Sequence, residues 1–326
     1  MSFPRLEEIP VTTMVVIVSF EPLIDIDLLF PLLGMSPFKT IIKNSKKVAL
    51  PLLKAGSLIS ARYKGVVLGN VQFIHPRFFK NSITVDMSTT HKNVNVKISK
   101  GKLHMCGIKN ISMVHEATNL IFSHIAQAEK LLCKMEEKHL DAALKYVESN
   151  DEDCIQGLDR DIMEKLIYYA TKCTEIKQFT DMIEGYRKSL KENKYHFSEE
   201  EDGIYLLNND KNKVARHMQL TAVRKAMANY NFSLGFKVNR GELAKRIDGV
   251  SDFTARYNNT IDYSVTIEHP HSETMKRKKD SPHVTFTVYR SGILTISGPH
   301  HDIIDPIYEK FIKIIEDVRP HIELGY

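Results

Sequence analysis

Two stretches of the chain, Lys97–Gly107 (KISKGKLHMCG) and Val288–Gly298 (VYRSGILTISG), share one pattern of residues. In each, a run of alternating apolar residues is followed by a glycine, a second alternating run and a glycine six positions after the first. Alternation on both sides of a glycine-containing turn predicts a β-hairpin. Apolar residues at helical spacing follow both stretches, so the same hairpin and helix are predicted twice.

The first third of the chain supplies the remaining elements of the first copy. Residues 12–20 (TTMVVIVSF) predict a strand, and residues 24–34 (IDIDLLFPLLG) predict a short helix. Asp25 or Asp27 would stabilise the N-terminus of this helix. A further strand pattern at residues 81–87 precedes the hairpin.

The last third of the chain repeats this order. Residues 229–238 (NYNFSLGFKV) predict a strand, residues 239–247 a short helix, and residues 260–267 a strand before the hairpin. The long helices are predicted to begin near Ser112 in the first copy and at Asp302 in the second. The order strand, short helix, three strands, long helix therefore occurs twice, which predicts an internally duplicated α+β protein.

The composition is typical of a soluble globular protein, with 43% hydrophobic and 26% charged residues among 326. No apolar run reaches the roughly 18 residues of a membrane span, and the N-terminus lacks the pattern of a signal peptide. The four cysteines lack the paired spacing of a metal site. We therefore expect an intracellular protein with reduced thiols, no membrane partner, and no metal or other cofactor.

Charge is distributed unevenly along the chain. Residues 127–213 carry 20 acidic and 14 basic side chains, and the remainder carries 20 acidic and 31 basic ones. The middle segment also has helical periodicity and little strand pattern. We expect a first repeat at 1–126, an acidic helical insert or linker at 127–213 and a second repeat at 214–326. The net charge of +11 on the two flanking parts indicates that they bind a polyanion.

Alternation also predicts which hairpin side chains point away from the helices. In a sheet covered by helices on one side, apolar residues face the helices and their neighbours face outward. The predicted outward residues are Asn93, Asn95, Lys97, Lys102, His104 and Cys106 in the first copy, and Thr285, Thr287, Tyr289, Ile293, Thr295 and Ser297 in the second.

This outward face has two interpretations. Small uncharged polar side chains can bond to acceptors on base edges, and aromatic rings can wedge between bases. The same residues are equally compatible with an ordinary solvated sheet surface. When the two hairpin sequences are aligned without a gap, inward residues of one copy match outward residues of the other. We therefore assign one extra residue to the first-copy turn at 99–101, and this alignment matches Lys97 to Tyr289.

With these elements in place, the sequence resembles the TATA-box-binding protein (TBP) family. The family motif SGKxxxTG is similar to KGKLHMCG at 100–107 and to SGILTISG at 291–298. The motif NPKRF is similar to HPRFF at 75–79, and NIVGSC is similar to NYNFSL at 229–234. The resemblance covers most of the chain, and the acidic insert makes it most similar to the divergent family members of large cytoplasmic DNA viruses.

The resemblance implies a fold and a function. The fold is a tandem of TBP-like repeats forming a saddle-shaped antiparallel sheet with helices on the convex face, plus a helical insert between the repeats. The function is that of a non-enzymatic transcription initiation factor, which binds AT-rich double-stranded DNA in the minor groove and bends it. Its partners would be a transcription factor B-like protein and an RNA polymerase, in a viral factory of the host cytoplasm, in a virion or in the nucleus.

The resemblance also implies a set of DNA-contacting residues. Lys102 would contact a phosphate, and Asn229 or Asn231 would read base edges. The basic segment 275–282 (MKRKKDSP) would lie over phosphates. Wedging aromatic residues would be Phe78 or Phe79 in the first copy, and Phe253 or Tyr257 together with Tyr289 in the second. The set is completed by Asn93, Asn95, Lys97, His104, Thr285, Thr287, Thr295 and Ser297.

Several residues depart from the family pattern and favour an alternative, a TBP-fold protein-interaction scaffold that no longer binds DNA specifically. Val15 occupies the position of a base-reading asparagine, and Lys97 replaces a wedging aromatic residue. Asp86 and Asp262 are expected on the outward face, where they would repel phosphates.

No catalytic or metal site is expected. The chain has no Walker-type glycine loop, no nucleophile elbow and no pair of carboxylates suited to catalysis. His269, His271, His300 and His301 lie in a loop and at a helix start, without the convergent partners that zinc requires.

Overall fold

The computed structural model describes residues 3–21, 23–43, 49–192, 218–260, 262–270, 283–299 and 301–325. The chain divides into two compact units. The first-copy unit comprises residues 17–107 and 111–224, and the second-copy unit comprises residues 1–16, 108–110 and 225–326. The basic segment 275–282 and the histidines at positions 271 and 300 lie outside the described residues.

The first copy contains the predicted elements and additional strands. Asp25 caps the short helix, because its carboxylate accepts hydrogen bonds from the amides of Asp27 and Leu28. The elements are β1 (Val11–Glu21), α1 (Ile26–Leu32), β2 (Ile41–Lys43), β3 (Leu58–Tyr63), β4 (Val66–Gly69), β5 (Val71–Phe73), β6 (Ile83–Ser88), β7 (Asn93–Ser99), β8 (Lys102–Ile108) and α2 (Ile111–Lys134).

The sheet of the first-copy unit is built on an antiparallel meander. β6 pairs with β7, β7 pairs with β8, and the first strand β1 lies beside β8. β3 and β4 extend the sheet beyond β6. The sequence pattern does not predict these two strands, because nearly every residue of β3 is buried and strict alternation is absent. β2 and β5 form a separate parallel pair.

The predicted helical insert packs onto the first copy. Its helices are α3 (Glu137–Ser149), α4 (Arg160–Lys172) and α5 (Ile176–Lys191). The Tyr186 hydroxyl on α5 donates to the Leu28 carbonyl on α1 at 2.7 Å. The Tyr168 hydroxyl on α4 accepts from the Gly69 amide of β4 at 2.8 Å. The insert therefore shares a core with α1 and the edge of the sheet.

The second copy repeats the topology of the first. The strand order β11-β12-β13-β14-β9 corresponds to β3-β6-β7-β8-β1, so the predicted duplication and the α+β class are confirmed. The elements are β9 (Gln219–Ser233), β10 (Lys237–Val238), α6 (Arg240–Ile247), β11 (Thr254–Arg256), β12 (Ser264–Pro270), β13 (His283–Tyr289), β14 (Ile293–Gly298), α7 (His301–Ile322) and β15 (Glu323–Leu324).

An aromatic cluster joins the second-copy sheet to its long helix. The rings of Phe286 on β13 and Phe311 on α7 stack at 4.1 Å between centroids. The ring of Phe253 lies 5.9 Å from each of them. Such a cluster buries a large apolar area at the centre of the copy and fixes the helix against the inward face. Among the described residues, no helix is both long enough and apolar enough to cross a membrane.

Gly292, one of the repeated glycines, is required by the second hairpin turn. Its φ angle is +85°, and a Cβ atom at this position would overlap the carbonyl oxygen of Phe236. Both the backbone conformation and the lack of space exclude a side chain here.

We expect Gly292→Ala to lower the free energy of unfolding by about 2–4 kcal/mol, because it adds left-handed strain and a steric overlap. Gly185→Ala is the matched control. Gly185 lies within α5 with no atom near its added methyl group, so alanine there should stabilise by up to about 1 kcal/mol. Urea denaturation measures both values, and equal effects would contradict this explanation of the turn.

Candidate nucleic-acid interface

The predicted division of each sheet into inward and outward faces is confirmed. Alternate residues of the hairpins are buried beneath the helices, and their neighbours are less buried. The buried residues are Val94, Val96, Ile98, Leu103 and Met105 in the first copy, and Val284, Phe286, Val288, Leu294 and Ile296 in the second.

Short polar side chains form two rows across the outward face of the second-copy sheet. Antiparallel register places the members of each row opposite one another on neighbouring strands. We call these eight residues the polar array. One row is Thr266, Thr287, Thr295 and Asn231, and the other is Glu268, Thr285, Ser297 and Asn229.

The polar array presents hydrogen-bonding groups with little net charge. Its one acidic member, Glu268, is paired with Arg256 at 2.8 Å. The Oδ1 atom of Asn229 is shielded from solvent and accepts no hydrogen bond from the described residues. An unpaired buried acceptor lowers the stability of the fold, and the Asn229 amide nitrogen is the group of this side chain that can donate to a ligand.

Two apolar side chains are exposed beside the polar array. Tyr289 ends β13 and is 38% exposed, and Ile293 begins β14 and is 47% exposed. Both lie next to the hairpin turn. Side chains of this kind can insert between base pairs, as the resemblance implies for Tyr289.

The outward face of the first copy is different, because its polar groups are bonded to one another. Asp86 lies on this face but is only 8% exposed. Its carboxylate accepts hydrogen bonds from the Ser60 hydroxyl and the Asn95 amide, each at 2.8 Å, and from Arg62 at 3.3 Å. The charge of Asp86 is therefore balanced within the protein, and one N–H of Asn95 is used for this purpose.

Residues 50–53 lie against one end of the same face. The Asn93 side chain donates to the carbonyls of Leu50 and Pro51 and accepts from the Ser88 hydroxyl. Ser88 in turn accepts from the Leu53 amide at 3.0 Å. All the polar atoms of the Asn93 side chain are thus engaged by the chain itself. The Asn95 amide, in contrast, donates one hydrogen bond, to Asp86. Contact of Asn93 and Asn95 with DNA stays a prediction.

Two of the cation–aromatic contacts in the first-copy unit involve Lys97 and Arg62. The Lys97 ammonium is 3.9 Å from the ring centre of Phe79, so the structure brings two predicted site residues together. Phe79 is 42% and Phe78 36% exposed. Arg62 lies over Phe73 at 4.3 Å. Sequence reasoning missed Arg62 and Phe73, because neither lies in a strand with clear alternation.

The remaining first-copy residues on the outward face belong to β8. Lys102 is exposed, whereas His104 and Cys106 are partly buried. Burial, and then the charge of Lys97, lowers the pKa of His104. Burial raises the pKa of Cys106 despite the same lysine. Both side chains are therefore neutral at pH 7, and Lys97 and Lys102 supply the positive charge of this region.

Phe253 and Tyr257 lie away from the polar array. Phe253 is 1% exposed and belongs to the aromatic cluster beneath the sheet, so its assignment as a wedging residue is wrong. Tyr257 is partly buried after β11, where Arg240 lies over its ring at 5.3 Å. Asp262 lies before β12, and its carboxylate accepts from the Asn258 amide.

The structure corrects the match between the two hairpins. Three residues separate Tyr289 from Ile293 across the turn, whereas two separate Ser99 from Lys102. The extra residue therefore lies in the second copy. Tyr289 corresponds to Ser99, and the expected match to Lys97 is wrong.

Metal-binding side chains do not converge in the part of the chain that the structure describes. No group of three or more His, Cys, Asp or Glu residues there is placed to hold an ion. His269 is buried against the Phe253 ring at 4.8 Å, and its Nδ1 lies 2.7 Å from the Pro270 carbonyl oxygen.

Comparison with known proteins finds similarity to solved structures but not to known sequences. No family model matches the chain, and no curated protein sequence matches it. Among solved structures, the chain is similar to TBP from Methanococcus jannaschii, with a TM-score of 0.41 and 12% sequence identity. The alignment covers 95% of this chain and 99% of that one.

The Arg62–Asp86 pair yields a stability prediction. Both side chains are largely buried, at 14% and 11% exposure. Arg62→Met leaves the Asp86 carboxylate without its countercharge, so we expect a loss of about 3 kcal/mol in the free energy of unfolding. Adding Asp86→Asn should recover a large part of this loss.

The exposed pair Arg160–Glu164 provides the control, at 88% and 60% exposure. Arg160→Met should cost no more than about 0.5 kcal/mol. Guanidinium denaturation of the three variants and the unaltered protein measures these energies. A similar loss in Arg62→Met and Arg160→Met would show that Asp86 is not held as a balanced buried charge.

Proposed function

We propose that this chain is a DNA-binding protein of transcription initiation that docks the outward face of its second copy in the DNA minor groove and bends the duplex. The observation that carries the proposal is the polar array, whose hydroxyl and amide groups, with the one ion-paired carboxylate of Glu268, are flanked by the exposed side chains of Tyr289 and Ile293. The sequence resemblance to the TBP family supports the same proposal.

The chemistry of the polar array suits AT-rich DNA. In the minor groove, A·T and T·A pairs present only the acceptors adenine N3 and thymine O2. Hydroxyl and amide groups such as those of Thr287, Thr295 and Asn231 can donate to either acceptor. Readout of this kind distinguishes AT-rich from GC-rich DNA without selecting one particular sequence.

Bending requires wedges and phosphate contacts. Tyr289 and Ile293 would insert at a base step, which costs a few kcal/mol and is offset by the surface that the bent duplex then contacts. Exposed Arg256 and Lys237 belong to the same unit and can reach phosphates. Such contacts make affinity strongly dependent on salt.

The first copy would contribute mainly positive charge. Asp86, Asn93 and Asn95 are engaged within the protein, which leaves Lys102 and the Phe79–Lys97 pair, with Phe78 beside it in the sequence, for DNA. We infer a low sequence specificity from this asymmetry. The protein partners that we propose are a transcription factor B-like protein and an RNA polymerase, with the acidic insert as a surface for transcription proteins.

The internally bonded face of the first copy also supports a second candidate function. A protein-interaction scaffold has no need of free base-reading groups, and the chain itself engages the Asn93 side chain and one N–H of Asn95. Val15 on β1 is likewise unable to donate or accept hydrogen bonds through its side chain. A scaffold would bind proteins and show no DNA bending.

Fluorescence energy transfer across a doubly end-labelled AT-rich duplex tests the proposal. We expect the full chain to shorten the end-to-end distance, with an affinity that falls as salt rises. Tyr289→Ala should abolish the shortening and weaken binding about tenfold, because one stacking contact is worth roughly 1–3 kcal/mol. Ile293→Ala should have a smaller effect in the same direction.

Ile176→Ala is the matched control, because Ile176 is 61% exposed but lies on α5 of the insert. It should leave both the bend and the affinity unchanged. Absence of binding at low salt would leave the scaffold as the remaining candidate. Binding that Tyr289→Ala does not alter would mean that another surface contacts DNA.

A further inference from the structure

A basic cavity lies outside the polar array in the second-copy unit. It has a volume of about 580 Å³, within the range of small-molecule sites. It is bounded by α6, by the segment after β11 and by the turn between β13 and β14. Arg240, Lys245 and Arg290 line it, and none of its lining residues is acidic.

The three cations of the cavity have no carboxylate partner among the described residues. Within the described part of the chain, none of the three forms a salt bridge, whereas Arg246, the neighbour of Lys245, is paired with Glu242 at 2.9 Å. The other nearby carboxylates, Asp248 and Asp262, accept hydrogen bonds from backbone amides. Three positive charges around one cavity repel one another, so a bound anion would stabilise the arrangement.

Arg240 is held in place for such a role. One of its terminal nitrogens donates to the Asp262 carbonyl at 2.8 Å, and its guanidinium lies over the Tyr257 ring at 5.3 Å. A guanidinium has five N–H donors in a fixed plane, so further donors stay available to an oxygen-rich anion. The Tyr257 hydroxyl donates to the Asn259 Oδ1, which leaves the Asn259 amide nitrogen as an additional donor.

We propose that this cavity binds the phosphate group of a nucleotide unit. The planar guanidinium groups of Arg240 and Arg290 and the flexible ammonium group of Lys245 together match the charge and geometry of phosphate oxygens. The volume exceeds what a bare phosphate fills and leaves room for the attached sugar, against the apolar surfaces of Ala244 and Leu324. The phosphate can belong to a free nucleotide or to a nucleic-acid strand.

Calorimetric titration of the full chain at low salt tests this inference, with ADP and a twelve-residue oligothymidylate as probes. Binding of ADP assigns the cavity to free nucleotides. Binding of the oligonucleotide alone, with loss of affinity in the cavity variant, assigns it to a strand. In either case, Lys245→Gln/Arg290→Gln should weaken binding at least tenfold.

Arg246→Gln is the matched control for charge, because it removes one positive charge from the same helix outside the cavity. We expect it to change binding of either probe less than twofold. Equal losses of affinity in Arg246→Gln and Lys245→Gln would mean that binding depends only on the overall charge of the protein. That result would overturn the proposal. Absence of binding for both probes would also overturn it. Neither result bears on bending of duplex DNA, which depends on Tyr289.

Discussion

Burial of one sheet face beneath a long helix constrains the rest of each copy. Side chains alternate along a strand, so burying Val284, Phe286 and Val288 under α7 leaves Thr285, Thr287 and Tyr289 on the opposite face. A shift of one residue would bury the polar set and expose the apolar set. The stacked rings of Phe286 and Phe311 therefore help fix which groups the second copy presents to a partner.

The two copies share this scaffold but use their outward faces differently. In the second copy, short polar side chains stand in register with little charge among them. In the first, Asp86 gathers Ser60, Arg62 and Asn95 into one network, and Asn93 is bonded to residues 50–53. A buried carboxylate requires such partners, and satisfying it removes the same groups from any ligand. The outward face of the second copy therefore keeps polar groups that a ligand can reach, whereas many polar groups on the outward face of the first copy bond to one another.

Alternation made the inward and outward faces and the repeated order of elements predictable from sequence. It did not reveal β3 or β11, because short strands without strict alternation carry little local signal. Phe253 was misassigned because its burial depends on Phe286 and Phe311, which are distant in sequence. The convergence of Arg240 and Arg290 likewise arises only when the chain folds. Long-range contacts, not local pattern, decide these features.

The central claim is that the outward face of the second copy contacts duplex DNA. Photocrosslinking from p-benzoylphenylalanine placed at Tyr289, Ile293 or Ile176 tests it most directly, since the crosslink reports where the DNA lies. If the outward face contacts DNA, we expect crosslinks to an AT-rich duplex from positions 289 and 293, and none from position 176 on the insert. Crosslinks of equal yield from all three positions, or from 176 alone, would contradict it.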